Sequence, residues 1–253
     1  MLEVTAVRGG YGDVEVLKGI DFTVADEVFG VLGANGAGKT TLLATVAGLL
    51  PVTSGTVTLD GEQLTGLPPW VSAARGLAYV PQERGVFGDL TVLENLNVGG
   101  MVSRERSRQD RVDEVFDTFP ALANVRNQPA RTLSGGESRM VAAGRALMQD
   151  PHVLLLDEPT AGLSPQYVDL FFAALDRVRS TRAISIVIAE QNASRALEFA
   201  DRVLILNLGS PLMTSRADEV TATQLRAAYQ IDHTDQPSLV RSGRATLTEM
   251  GDP

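Results

Sequence analysis

The eight residues Gly33-Ala34-Asn35-Gly36-Ala37-Gly38-Lys39-Thr40 constrain this chain more than any other stretch. They fill the pattern G-x-x-x-x-G-K-[ST] completely. An apolar run that reads as a strand, Val28–Leu32, precedes them, and a run that reads as a helix, Thr40–Leu49, follows. The three glycines let the backbone curl until successive N–H groups point inward, and a helix N-terminus adds its partial positive charge. A cradle of this kind takes phosphate. Gly33, Asn35, Gly36, Ala37, Gly38, Lys39, Thr40 and Thr41 are therefore the expected phosphate-binding residues, with Lys39 on the β- and γ-phosphates and the Thr40 hydroxyl on Mg²⁺. Of 22 basic residues only Lys18 and Lys39 are lysines, which makes the placement of Lys39 more informative. An ordinary glycine-rich turn does not account for the strand, the helix and a scarce lysine falling together.

A second chemical feature is Val153-Leu154-Leu155-Leu156-Asp157-Glu158, an apolar strand that ends in two acids. In a parallel sheet, ligands gather at the carboxyl ends of the strands. Asp157 is expected to hold Mg²⁺ and Glu158 to polarise the attacking water as general base. Neighbours on an extended chain point to opposite sides, so the two acids are free to take different jobs. Taken alone, the pair also reads as a strand running out into solvent.

Short apolar runs at Leu2–Val7, Val28–Leu32, Leu77–Val80, Val153–Leu156, Ile184–Ala189 and Val203–Leu206 read as strands, and helical patterns such as Val168–Arg179 lie between them. Nearly continuous apolar strands belong in a sheet covered on both faces, so a layered α/β core is expected. From Thr91 to Asp150 no strand pattern stands out. Thr91–Met101 and Asp110–Phe119 have helical periodicity, and Ser134-Gly135-Gly136-Glu137 has capping-box spacing ahead of a helix running to about Met148. This reads as a helical subdomain, about 88–150, inserted in a domain spanning 1–232. The polar, aperiodic tail 233–253 is expected to be flexible. Net charge is −9 with no basic cluster, which argues against a nucleic-acid partner. With no cysteine there is neither a disulfide framework nor a thiolate metal site. No secretory leader is expected from the first residues, and no stretch reaches the roughly 18 apolar residues of a membrane span.

Leu133-Ser134-Gly135-Gly136-Glu137 narrows the reading. Two successive glycines weaken a helix start unless backbone must approach something closely. The segment resembles the signature motif of ABC ATPases and stands where theirs does, after a helical region and before the acid pair. The resemblance covers about residues 2–232. It implies a P-loop NTPase core with a mixed sheet and an inserted α-helical subdomain, with ATP and Mg²⁺ as ligands. It further implies that Ser134, Gly135, Gly136 and Glu137 form the turn that meets ATP held by a second cassette. Tyr11 resembles the aromatic that stacks on adenine. Gln82, in Val80-Pro81-Gln82-Glu83, resembles the residue that links Mg²⁺ and water to the helical region.

Two positions depart from the common ABC pattern. Ala161-Gly162-Leu163-Ser164 replaces the usual Ser-Ala-Leu-Asp, and Gln191, in Glu190-Gln191-Asn192, takes the place of a histidine that touches the γ-phosphate. A glutamine still donates through its amide but carries no charge and moves no proton. The simplest expectation is hydrolysis that relies on Glu158, with a slow ATP clamp as the alternative. These same departures resemble the second cassette of importers for branched-chain amino acids and their relatives for urea and short amides. That branch implies a second cassette, identical or related, and membrane permease subunits seated near Gln82–Gly88 and Thr91–Asn97. It also implies an extracytoplasmic solute-binding protein acting indirectly, and a place on the inner, cytoplasmic face of the membrane. An ABC ATPase of ribosomes or DNA would bring two fused cassettes or long coiled coils, and a guanine-reading GTPase would bring N-K-x-D. None of these is present.

Overall fold

A computed structural model describes residues 1–83, 85–102 and 106–229. The tail 233–253, with His233, lies outside the described residues. The chain opens with β1 (Leu2–Tyr11) and β2 (Val14–Val24), then β3 (Val28–Leu32), which leads into α1 (Lys39–Val46). β4 (Val52–Leu59), β5 (Glu62–Gln63), α2 (Pro69–Ala74) and β6 (Leu77–Val80) follow. Next come α3 (Val92–Gly99), α4 (Arg108–Thr118), α5 (Pro120–Ala123) and α6 (Gly135–Leu147), with no named strand among the described residues between β6 and β7. β7 (Val153–Asp157), α7 (Pro165–Thr181), β8 (Ser185–Glu190), α8 (Ala193–Phe199), β9 (Arg202–Asn207), β10 (Ser210–Arg216) and α9 (Ala222–Tyr229) complete the order.

Two sheets form. The six-stranded one runs β10-β9-β3-β8-β7-β6, parallel throughout except for β10 at its edge, so it is mixed. The other, β2-β1-β4-β5, is antiparallel. β2, β4, β5, β10 and the far half of β1 escape a search for apolar runs, because each mixes exposed or half-buried positions into its run. Half-buried antiparallel strands are patterned that way, whereas β3, β7 and β8 are buried at every residue.

The period of two along the buried strands sorts their side chains between two cores. Leu154, Leu156, Ile186 and Ile188 face α3, α4, α6 and α7, where Val115, Phe119, Val141 and Phe171 pack. Val153, Leu155, Val187 and Ala189 face the opposite way, onto Leu42, Leu43 and Val46 of α1, which is sandwiched against the antiparallel sheet through Leu2, Val4, Ile20 and Val57. Truncating one such residue to alanine costs about 2–5 kcal/mol. A smaller cluster seats α8 and α9 on β9. The same parity fixes the functional ends of the strands. Asp157 continues the odd positions and faces α1, while Glu190 continues the even ones and faces α7.

Two local details carry a physical reason. Asp26, in the turn between β2 and β3, takes a left-handed φ of 50°. Asp tolerates that region better than most residues, so the turn is made without a glycine. Asn95 was a candidate for the permease-facing surface. It is fully buried instead, accepting from Phe87 N–H at 2.8 Å and donating to Phe87 O, Leu90 O and Thr91 O. It braces the loop before α3 and presents nothing outward.

Candidate nucleotide site

The phosphate loop spans the gap between β3 and α1. Gly38, at the N-cap of α1, has φ 102°, a conformation costly for any residue with a Cβ. No side chain caps this helix, and its first internal bond runs from Leu42 N–H to Gly38 O. The N–H groups of Lys39, Thr40 and Thr41 therefore have no helix carbonyl and remain to be satisfied by an anion. Lys39 is 4% exposed, yet its ammonium is fully engaged: Nζ donates to Gly33 O at 2.9 Å and Ala34 O at 3.3 Å, and pairs with Glu158 Oε1 at 3.2 Å. Burying an ammonium is affordable only with partners of this kind.

Both acids of the pair reach the loop. The Thr40 hydroxyl lies 3.1 Å from Asp157 Oδ1, and Tyr79 OH donates to Asp157 Oδ2 at 3.2 Å. Gln82 Nε2 donates to Glu158 Oε2 at 3.1 Å. The idea that an extended chain splays the acids apart does not hold. Glu158 has φ 43°, so the chain turns sharply as it leaves β7 and brings the carboxylate round to Lys39. A left-handed glutamate is strained, and strain of this kind gathers at functional positions. Burial raises the Asp157 pKa against the lowering effect of its bonds to Thr40 and Tyr79. Burial likewise lifts the Tyr79 phenol, which stays protonated and donating.

A hydroxyl and a carboxylate 3.1 Å apart are hard oxygen donors suited to Mg²⁺ completed by phosphate oxygens and water. Among the described residues no group of three or more His, Cys, Asp or Glu could hold a metal without such help. Free helix N–H groups, a paired lysine and a Thr–Asp oxygen pair thus fit a metal-bound triphosphate.

Tyr11 is half exposed at the end of β1, at the turn into β2. The Val16 and Leu17 side chains of β2 lie against Gly38. Gln191 is exposed at the end of β8, beside Glu158 and Glu190 in a cleft of about 520 Å³ that Thr160, Leu163 and Asn192 also line. The turn Ser134–Glu137 belongs to a different part of the surface network. Ser134 caps α6 in a full capping box: its hydroxyl accepts from Glu137 N–H at 3.2 Å, and Glu137 Oε2 accepts from Ser134 N–H at 2.8 Å. The two glycines differ. A Cβ on Gly135 would meet open space, whereas one on Gly136 would fall 2.3 Å from the Tyr167 ring. Close approach at Gly136 is thus made within the chain.

Several residues of the site carry no motif. Tyr79 is a tyrosine in a buried parallel strand, and a buried phenol calls for a partner. Arg139 of α6 donates to the Gln82 carbonyl, joining the helical region to the loop between β6 and α3. Glu190, 3% exposed, accepts from the Thr160 hydroxyl at 2.6 Å and Thr160 N–H at 3.3 Å. The signal for Glu190 was available, since an acid closing a continuous apolar strand needs a reason.

A family model described as ABC transporter matches residues 17–161. Across 221 residues the chain is 38% identical to a probable branched-chain amino acid transport ATP-binding protein, LivF, of Archaeoglobus fulgidus, covering 87% of this chain and 94% of that one. The chain belongs to the ABC transporter family. BraG of Pseudomonas aeruginosa, named a high-affinity branched-chain amino acid transport ATP-binding protein, is 39% identical over 90% of this cassette and 99% of its own length. A solved ABC cassette, MJ1267 in its ADP conformation, superposes with a TM-score of 0.74 at 25% identity, over 85% of this chain and 91% of that one. ABC ATP-binding subunits bind and hydrolyse ATP, dimerise and work with membrane permease components. In this cassette no helix among the described residues is long and apolar enough to cross a membrane.

Proposed function

We propose that this ABC cassette hydrolyses MgATP to power import of branched-chain amino acids from the cytoplasmic face of the membrane. The observation that carries the catalytic part is the connected set Lys39–Glu158–Gln82 beside Thr40–Asp157. The cargo rests on the names of the relatives at 38–39% identity. Adenine stacks on Tyr11, and the N–H groups around Gly36, Gly38, Lys39 and Thr41 hold the phosphates. Thr40, Asp157 and the amide oxygen of Gln82 would hold Mg²⁺, which would supply positive charge to offset that of the phosphates. An arriving γ-phosphate competes with Glu158 for the Lys39 ammonium, which frees the carboxylate to take a proton from the attacking water. Gln82 keeps that carboxylate oriented through its amide N–H. Gln191 donates to the γ-phosphate where most cassettes use a histidine.

Ser134 and the Gly135 and Gly136 amides of a second cassette, identical or related, close the site from the far side. ATP binds both surfaces better than ADP does, so hydrolysis reopens the pair. Permease subunits sit over the loop around Gln82 and Phe87, and a solute-binding protein acts through them. Turnover of MgATP by the wild type and by Glu158→Gln tests the base. Equal rates sink it, and a wild type that binds ATP without turnover leaves a clamp. Loss of leucine, isoleucine and valine uptake on deleting the gene, restored by the wild type and not by Glu158→Gln, tests the cargo.

A further inference from the structure

Gln191 offers the γ-phosphate an uncharged amide, so its usefulness depends on where its backbone is held. Pairing of Leu32 with Glu190 brings the end of β8 beside the mouth of the phosphate loop. Beyond that point the chain leaves the sheet, and Asn192 caps α8 by accepting from Arg195 N–H at 3.3 Å. A further tie comes from 38 residues along the chain: Tyr229 OH donates to Gln191 O at 3.0 Å. The backbone of Gly33, the first residue of the phosphate loop, lies close enough to the same phenol to bear on its ionisation. α9 is held in place for this by Leu225 and Tyr229, which pack on Leu32, Val203 and Ile205.

We propose that Tyr229 is a positioning residue that ties the Gln191 loop to α9 beside Gly33 of the phosphate loop, making α9 part of the nucleotide site. A glutamine gains more from such a tether than a histidine would, because it has no charge to draw it toward phosphate from a distance. Burial pushes the phenol up to about 12, helped by the nearby Glu190 and Glu158 carboxylates, so the hydroxyl stays a donor at any physiological pH. The catalytic consequence rests on the reading of Gln191 given above. The tether itself does not.

The test uses the full chain as wild type, Tyr229→Phe, Gln191→Ala and the double variant. Phenylalanine keeps the ring packing and removes only the hydroxyl. Losing one neutral hydrogen bond of about 1 kcal/mol predicts a kcat about fivefold lower, with KM for ATP changed less than about twofold. Amide hydrogen exchange at Gly33, Gln191 and Asn192 quickens in Tyr229→Phe while α1 is unchanged. In the Gln191→Ala background the Tyr229→Phe change lowers kcat no further, which a general loss of stability would not reproduce. Wild-type exchange at those three amides overturns the tether, as does a wild-type kcat in Tyr229→Phe or an equal loss in both backgrounds. Absence of turnover in the wild type counts against the ATPase reading instead, and the exchange measurement then still decides for or against Tyr229.

Discussion

Two helices in this cassette begin at glycine-rich turns, and they are finished in opposite ways. α1 has no side-chain cap, and its loop is wired through Lys39 and Thr40 to the buried acids Glu158 and Asp157. α6 is capped by its own Ser134 and Glu137, and the turn ends there, with Ser134 and Gly135 exposed. Charge is divided the same way. Lys39, Asp157, Glu158 and Glu190 are buried around the first turn, and the second contributes no buried charged side chain. A turn whose lysine and threonine side chains reach buried acids of its own chain has its chemistry assembled in place. A capped and exposed turn with open space at Gly135 leaves that surface free for something arriving from outside. On the function proposed above, one chain carries a phosphate-binding half-site and, in its exposed turn, the surface that completes a partner's.

The sharpest way to break this comparison is to disable the assembled half alone. Glu158→Gln removes the proposed base and keeps the volume and an acceptor for Gln82. It should cut ATP turnover at least about 100-fold while nucleotide still binds. Lys39 retains two carbonyl partners in that variant, so the fold should survive. A rate within a few-fold of wild type would mean that the buried acid is structural only. Disabling the other half should give the mirror result. Ser134→Arg places a bulky cation on the outward turn, and its expected phenotype is turnover down about tenfold or more with ATP affinity of the isolated chain unchanged. Equal loss of ATP affinity would show that the turn serves the chain's own loop, and the division drawn above would fail.

The two signature glycines sharpen the comparison at smaller energies. Gly136→Ala drives a methyl into the Tyr167 ring, and overpacking of that kind costs about 1–3 kcal/mol. Gly135→Ala meets nothing within the chain and should raise helix stability by up to about 1 kcal/mol. Thermal melts should therefore move in opposite directions. If Gly135→Ala also slows turnover, the close approach at Gly135 is made by the partner. If it leaves turnover at the wild-type rate, only Ser134 and Gly136 remain as contacts across the pair.

What could be read in the sequence divides along the same physical line. Lys39, Thr40, Asp157 and Glu158 were legible because their chemistry demands fixed spacing next to fully buried strands, and such strands announce themselves as apolar runs. β2, β4 and β10 were not, because a strand exposed on one face mixes polar residues into its pattern. Tyr79 and Arg139 were missed because each acts across distant segments, on Asp157 and on the Gln82 carbonyl. The sharp turn at Glu158 was hidden for another reason: nothing in Asp157-Glu158-Pro159 marks a left-handed glutamate. Gly136 was read as a site of intermolecular approach, and the neighbour that crowds it, Tyr167, lies in another helix of the same chain.

The smallest expected effect concerns the charge that the assembled half keeps out of water. Glu190 is 3% exposed, and burial raises its pKa despite the two hydrogen bonds from Thr160. A carboxyl whose pKa is raised on folding holds its proton in the folded chain at a pH where the unfolded chain has lost it. Its contribution to stability is therefore greatest in acid. It falls as pH climbs from the ordinary carboxylate value to the raised one, and is constant above that. Glu190→Gln removes this slope and keeps an acceptor for the Thr160 hydroxyl. The variant should melt higher than the wild type near neutral pH, and the gap should close as pH is lowered from about 8 toward about 4. Comparing the two proteins at each pH cancels Asp157, whose pKa is also raised by burial. Parallel melting curves across that range would mean that the Glu190 charge is tolerated at no cost, and the buried charge of this half-site would then weigh no more on folding than the exposed turn of α6 does.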